Sequence, residues 1–145
     1  CQCLGKYHTK NIKQWNDNGW MDGITLLGTV QHKEIWNILD NVSLLIHPSL
    51  EETFGGILIE AMARKVPVVG GTNSGAVPYV LEFGKIGELC DVCSPISIFQ
   101  SVEKVINDQE YRNLLVSNAT QILSEKYSNI AVAKLQVSMY EKFVR

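Results

Sequence analysis

An α/β fold is predicted by this chain, a doubly wound, Rossmann-like parallel sheet followed by extra C-terminal helices. Three observations carry that expectation. Short apolar runs bounded by Gly, Asn or Pro alternate with stretches of helical period as far as Cys93. The runs are nearly continuous in apolar residues, as strands covered on both faces of a parallel sheet are. Beyond Cys93 only helical periodicity remains.

Taken in order, "CQCLG" at 1–5 reads as the first strand and 9–18 as the helix after it. "ITLLG" at 24–28 is the second strand, followed by a helix over His32–Leu39. "VSLLIH" at 42–47 is the third, "HPSLEET" a loop at its carboxyl end, and 56–64 a helix opened by Gly55-Gly56. "VPVVGG" at 66–71 and "GELC" at 87–90 complete the strands. Ser94 is a good N-cap with Pro95 at the first helical position, and Ile98, Phe99, Val102, Val105 and Ile106 recur on one helical face. A second helix over 109–126 presents Leu114, Leu115, Ile122 and Leu123, and a third over 129–144 presents Ile130, Leu135, Tyr140 and Phe143. These faces are expected to be core and packing surface, with no chemistry in them.

The chain has 145 residues, 46% of them hydrophobic, enough for one core and read as a single domain over 1–145. A net charge of -2 speaks against an electrostatic grip on nucleic acid. No apolar run approaches the ~20 residues of a membrane span. "CQCLGKYHTK" lacks the apolar core of a signal peptide, so the expected location is cytoplasmic. Cys90 and Cys93 have CxxC spacing, but Cys1 and Cys3 do not form the matching second pair that a zinc ribbon needs. Reduced cysteines packed as small hydrophobes are the expectation, with no metal and no cofactor.

The stretch "PSLEETFGGILIEAMARKVPVVGG" at 48–71 places Glu52 and Glu60 on either side of Phe54-Gly55-Gly56. In open α/β sheets ligands bind outside the carboxyl ends of strands, where this loop lies. Glycines let the backbone approach a ligand, and the N–H groups of a helix's first turn suit a phosphate or hydroxyls. Ionised carboxylates only accept hydrogen bonds and can take both members of a vicinal diol. Hydroxyls and phosphate together describe a nucleotide sugar. A Gly-rich turn with Glu near a helix start is also what the macrodipole favours without any ligand. His47, alone at a strand end, reads as structural, and Arg64 and Lys65 as a solvated helix end.

"HPSLEETFGGILIEAMARKVPVV", then "GTNSGAVPYVLEFGKIGELCD", resembles the C-terminal half of retaining GT-B glycosyltransferases of family GT4. The family pattern runs P-S-x-x-E-x-F-G-x-x-x-x-E-A-M-A, then P-V-V, a G-G-x-P-E turn and a G-x-L strand. Glu52 and Glu60 match its two glutamates, and Phe54-Gly55 its F-G. "ITLLGTVQHKEIWNILDNVSLLIHPS" and "KYSNIAVAKLQVSMYEKFV" are similar to the flanking segments, so the resemblance covers nearly the whole chain.

The resemblance implies a hexosyltransferase of the EC 2.4 type, moving a sugar from a UDP- or GDP-linked donor to an acceptor hydroxyl with retention and without a bound metal. Glu60 would bind the ribose hydroxyls and Glu52, the residue assigned to catalysis, the transferred sugar. Backbone N–H groups at Phe54, Gly55 and Gly56 would hold the sugar and distal phosphate, and Val30 would border the base. The acceptor, a glycan or lipid-linked glycan, would be met by an N-terminal domain outside this chain, with the enzyme cytoplasmic or peripheral at the inner membrane face in polysaccharide or glycan biosynthesis.

Departures qualify the likeness. Tyr79 stands where the G-G-x-P-E turn has its carboxylate, here Gly75-Ala76-Val77-Pro78-Tyr79. The family's diphosphate-binding Arg and Lys belong to a strand-helix unit before "CQCLG", and Lys6, Lys10 and Lys13 match neither position. The chain is therefore expected to be a fragment, with a bare sheet edge and no activity alone. A non-catalytic nucleotide or nucleotide-sugar binding module stays open as the alternative. A different α/β binding domain stays open as well; a phospho-receiver, for example, would need an aspartate at a strand end, and none of "ITLLG", "VSLLI" or "VPVVG" ends in one.

Overall fold

The structure, a computed structural model, describes residues 1–5 and 9–143. Lys6, and Val144 at the end of the last predicted helix, lie outside the described residues. The chain forms two compact units, Cys1–Ile38 and Leu39–Arg145.

In the first unit β1 (Gln2–Leu4) and β2 (Thr25–Gly28) pair in parallel, Gln2 opposite Thr25 and Cys3 opposite Leu26. Backbone bonds from Thr25 N–H to Cys1 O (2.8 Å) and Gly5 N–H to Gly28 O (3.0 Å) extend the pairing at both ends. Helix α1 (Thr9–Asp17) joins them. Helix α2 (His32–Leu39) starts where the Glu34 carboxylate accepts the Gln31 N–H at 3.0 Å, which satisfies one donor that a helix start leaves over.

The second unit carries β3 (Leu45–His47), α3 (Gly56–Ala63), β4 (Val68–Gly71), α4 (Val77–Val80), a 3₁₀ turn at Glu82–Gly84 and β5 (Glu88–Cys90). Then come α5 (Pro95–Asn107), α6 (Gln109–Ile122), which runs into a π turn at Leu123–Tyr127, and α7 (Asn129–Phe143). Its sheet has the order β3-β4-β5, all parallel. The central strand is buried throughout, as its unbroken apolar sequence requires. Val69, Cys90, Val105 and Leu115 form one core cluster, in which α5 and α6 cover the sheet. Parallel register sets His47 opposite Gly70, so the loops leaving β3 and β4 emerge side by side at the carboxyl end of the sheet.

Strands and longer helices fall where the apolar runs and caps predict. Ser94 Oγ accepts the Ser97 N–H at 3.3 Å, and Asp108 Oδ1 does the same for Tyr111 at 2.8 Å, starting α5 and α6. At the end of α3, Arg64 pairs with Asp40 on the surface, as a cation at a solvated helix end can. Two expectations change. Four-residue α4 and the turn after it were not foreseen. Phe99, Ile106, Leu114, Ile130, Leu135, Tyr140 and Phe143 are exposed: α7 has no buried residue and is not core, whereas α5 and α6 send only part of their apolar faces into the core, Val105 and Leu115 with Ile98 and Val102 packed beside them. Helical spacing tells which residues share a face, and it does not tell whether anything packs on that face.

No helix among the described residues is long and apolar enough to cross a membrane. Among the same residues no three His, Cys, Asp or Glu side chains cluster as metal ligands would.

Candidate functional site

The site is built at the carboxyl end of β3. After His47 the chain leaves the sheet through Pro48, and the loop carries Glu52 back over the strand end. Glu52 Oε1 accepts the N–H of Thr53 at 2.9 Å and of Phe54 at 3.3 Å. Its Oε2 lies 3.2 Å from His47 Nε2. Its backbone oxygen accepts the Ala76 N–H at 2.9 Å, from the turn that follows β4. One residue thus ties together its own loop, β3 and the β4–α4 turn. The Phe54 N–H foremost, with those of Gly55 and Thr53 and the His47 ring, holds the Glu52 carboxyl below its ordinary range, although partial burial pushes it upward.

Gly55 lets α3 begin directly after this loop. Its φ of 74° is left-handed, which side chains disfavour, and an added Cβ would lie 2.8 Å from Leu58 Cδ1 and 3.3 Å from Glu52 Cγ. The Leu58 N–H closes the first turn on Gly55 O at 2.9 Å, and Leu58, Ala61 and Met62 bury the opposite side of α3. Gly56, in contrast, has nothing within 4 Å of an added Cβ, so the first turn is open to an approaching group. Glu60 follows about one turn on. It is half-buried, and its Oε2 is shut off from solvent.

The second unit therefore holds Glu52, Phe54, Gly55, Gly56 and Glu60 on one loop-helix junction. Val30 belongs to the first unit, where it is half-buried in the connection from β2 to α2. Sequence reasoning missed three partners. His47, expected to be structural, has its ring against the Glu52 carboxylate, a partner that its place as the last residue of β3 could have signalled. Gly75-Ala76 was read as a departure, yet Ala76 holds the Glu52 carbonyl. Tyr127, on the π turn, places its ring 6.5 Å from that of Phe54, a contact no local pattern announces. Tyr79 points elsewhere: it is exposed and meets Phe83 edge-on. A pocket of about 340 Å³ between α3 and the π turn, lined by Ile59, Met62, Lys65, Leu123 and Tyr127 among others, includes neither glutamate.

Chemically, the junction offers the Glu52 carboxylate beside the open first turn of α3, with Glu60 about one turn along the same helix. That combination can take hydroxyls and an anionic oxygen at once.

Comparison with known proteins gives the family and the fold. The family described as "Glycosyl transferases group 1" matches residues 5–122. The capsular polysaccharide biosynthesis glycosyltransferase CapM of Staphylococcus aureus is 29% identical over 106 residues, which is 73% of this chain and 28% of CapM. N-acetyl-alpha-D-glucosaminyl L-malate synthase of Bacillus anthracis is 26% identical over 86% of this chain and 32% of its own length. The chain thus spans about a third of the length of such relatives. Among solved structures, HepE of Anabaena in complex with UDP superposes with a TM-score of 0.82 at 20% identity, covering 97% of this chain and 40% of HepE. The C-terminal domain of the group 1 protein LpcC from Francisella tularensis does so with a TM-score of 0.70 at 24% identity, covering 83% of this chain and 62% of that one. These likenesses show the fold, the Rossmann-like α/β arrangement of the C-terminal half of GT-B glycosyltransferases.

Proposed function

The chain belongs to the group 1 glycosyl transferases, and on that premise we propose that it is the donor-binding part of a longer enzyme that moves a hexosyl group from a nucleotide sugar to an acceptor hydroxyl with retention. The observation that carries this reading is the pre-ordered Glu52 carboxylate at the carboxyl end of β3, beside the open first turn of α3. HepE, which shares the fold, is known in complex with UDP and with UDP-glucose, and this supports a UDP-linked donor.

In this reading Glu60 accepts hydrogen bonds from the ribose hydroxyls. Glu52, oriented by the loop's own N–H groups and by His47, presents its carboxylate to the sugar. The Phe54 N–H is engaged by Glu52, so in this reading it is the open first turn at Gly56 that meets the sugar and distal phosphate. The transition state resembles an oxocarbenium ion, and the barrier falls as the leaving diphosphate is stabilised by fixed donors and by basic groups of the longer protein. Two carboxylates beside a diphosphate repel it, so this chain alone binds the donor weakly. Such an enzyme works in the cytoplasm or at the inner membrane face, on a glycan or lipid-linked acceptor.

The test is calorimetry on this chain with UDP, GDP and UDP-glucose. Glu60→Gln is expected to weaken all nucleotides that bind, by about 1.5–3 kcal/mol, and Glu52→Gln mainly the sugar-bearing one. Unchanged affinity of Glu60→Gln for every nucleotide would remove the assignment.

A further inference from the structure

We propose that the turn between β4 and α4 is the positioning element for Glu52, with Gly75 its positioning residue; the proposal rests on the reading of Glu52 as a sugar-contacting group. The turn is fixed from beneath. Ser74 and Val77, on either side of Gly75-Ala76, are both fully buried. Ser74 packs down on Gly71, where an added Cβ would lie 1.8 Å from the Ser74 Oγ. Gly75 itself has a φ of 58°, and an added Cβ there would lie 2.3 Å from the Glu52 backbone oxygen and 3.1 Å from its nitrogen. Those neighbours are backbone atoms, which a rotamer change cannot clear. Next to it, Ala76 donates its N–H to the same oxygen at 2.9 Å.

The two sides of this contact differ in freedom. The turn is held by two buried side chains, whereas Thr53 and Phe54, which follow Glu52, are exposed. A side chain at position 75 therefore displaces Glu52 before it displaces the turn. Displacing Glu52 breaks the carboxylate's contact with His47, the last residue of β3, and with it one of the bonds that hold the carboxyl low, whereas the bonds to Thr53 and Phe54 lie within the loop and move with it. Gly75 acts through Glu52 and has no contact with the ligand in this account. The glycine serves here for closeness as well as for its left-handed φ.

Gly84 separates the two effects. It too has a left-handed φ, 93°, but an added Cβ there would meet only Leu89 Cδ1 at 3.9 Å. Gly84→Ala thus carries the backbone strain without the collision. Gly75→Ala and Gly84→Ala are compared with the unaltered 145-residue chain, by calorimetry with UDP and UDP-glucose and by amide NMR across the acid range. Gly75→Ala is expected to lose about tenfold or more in affinity for UDP-glucose relative to Gly84→Ala, with UDP within about twofold. The Thr53 and Phe54 amides, which report the Glu52 carboxyl, are expected to titrate at higher pH in Gly75→Ala only. Equal UDP-glucose affinity and equal titration in both variants would overturn the proposal. If the unaltered chain binds neither probe, the reading of the site falls, and the titrations alone decide the clamp. If Gly75→Ala does not fold, the through-hydrogen-bond coupling between the Ala76 nitrogen and the Glu52 carbonyl carbon decides it: its presence in the unaltered chain supports the clamp, its absence refutes it.

Discussion

Both carboxylate oxygens of Glu52 are engaged by the protein itself, and this sets what can be measured at the residue scale. Its folded acidity is depressed, chiefly by the Phe54 N–H. A carboxyl depressed in this way contributes order that is present above the ordinary carboxylate range and lost as pH falls through the folded value. The Thr53 and Phe54 amides should therefore hold their neutral-pH shifts to below the usual Glu range and then move together, and Glu52→Gln should abolish that step. Movement centred at or above the ordinary value would contradict the assignment. His47→Phe removes the partner on Oε2. The pair is only partly buried, so the loss of stability by urea unfolding should be small. A loss of several kcal/mol would mean His47 is chiefly a packing residue. At this scale the sequence displayed the glutamates and glycines, because residue type and spacing are local. It could not display the Ala76–Glu52 bond, which joins positions 24 apart in sequence and exists only because β3 and β4 pair in register.

Helix ends and apolar runs are where the elements were legible. The Ser94-Pro95 start of α5 is observed as read, and Ser94→Ala should cost about 1 kcal/mol in chemical denaturation; no measurable change would show the cap to be dispensable. Short α4 was not legible because four residues including Pro78 are too few to show a period. The C-terminal helix was legible as a helix and misread as packing. With none of its residues buried between Asn129 and Phe143, truncation after Ser128 should change the unfolding free energy of the second unit by no more than about 0.5 kcal/mol. A large destabilisation would show that α7 packs in solution. Strand bounds shrank from four to six residues to three or four, since apolar sequence continues into the loops that lead in and out of the sheet.

At the scale of the whole molecule, the fold was legible from alternation, and the family from a motif that fills a loop-helix junction. Donor base and sugar were not, because the motif does not specify the few side chains that would distinguish them, and the acceptor was not, because this chain spans about a third of the length of its relatives. Transfer by a longer protein carrying this chain should survive chelation, since the sequence has no Asp-x-Asp pair and the described residues hold no metal-ligand cluster. Activity lost with EDTA and restored by Mn²⁺ would contradict the mechanism. The central claim is that a nucleotide sugar binds at the Glu52–Glu60 junction. It is tested most directly by titrating the isotope-labelled chain with UDP-glucose and following its amide NMR spectrum. The account predicts saturable shifts at Thr53, Phe54, Gly55, Gly56 and Glu60, with smaller shifts at Thr53 and Phe54 when UDP replaces UDP-glucose. Saturable shifts confined to other surfaces, or none at millimolar UDP-glucose, would contradict it.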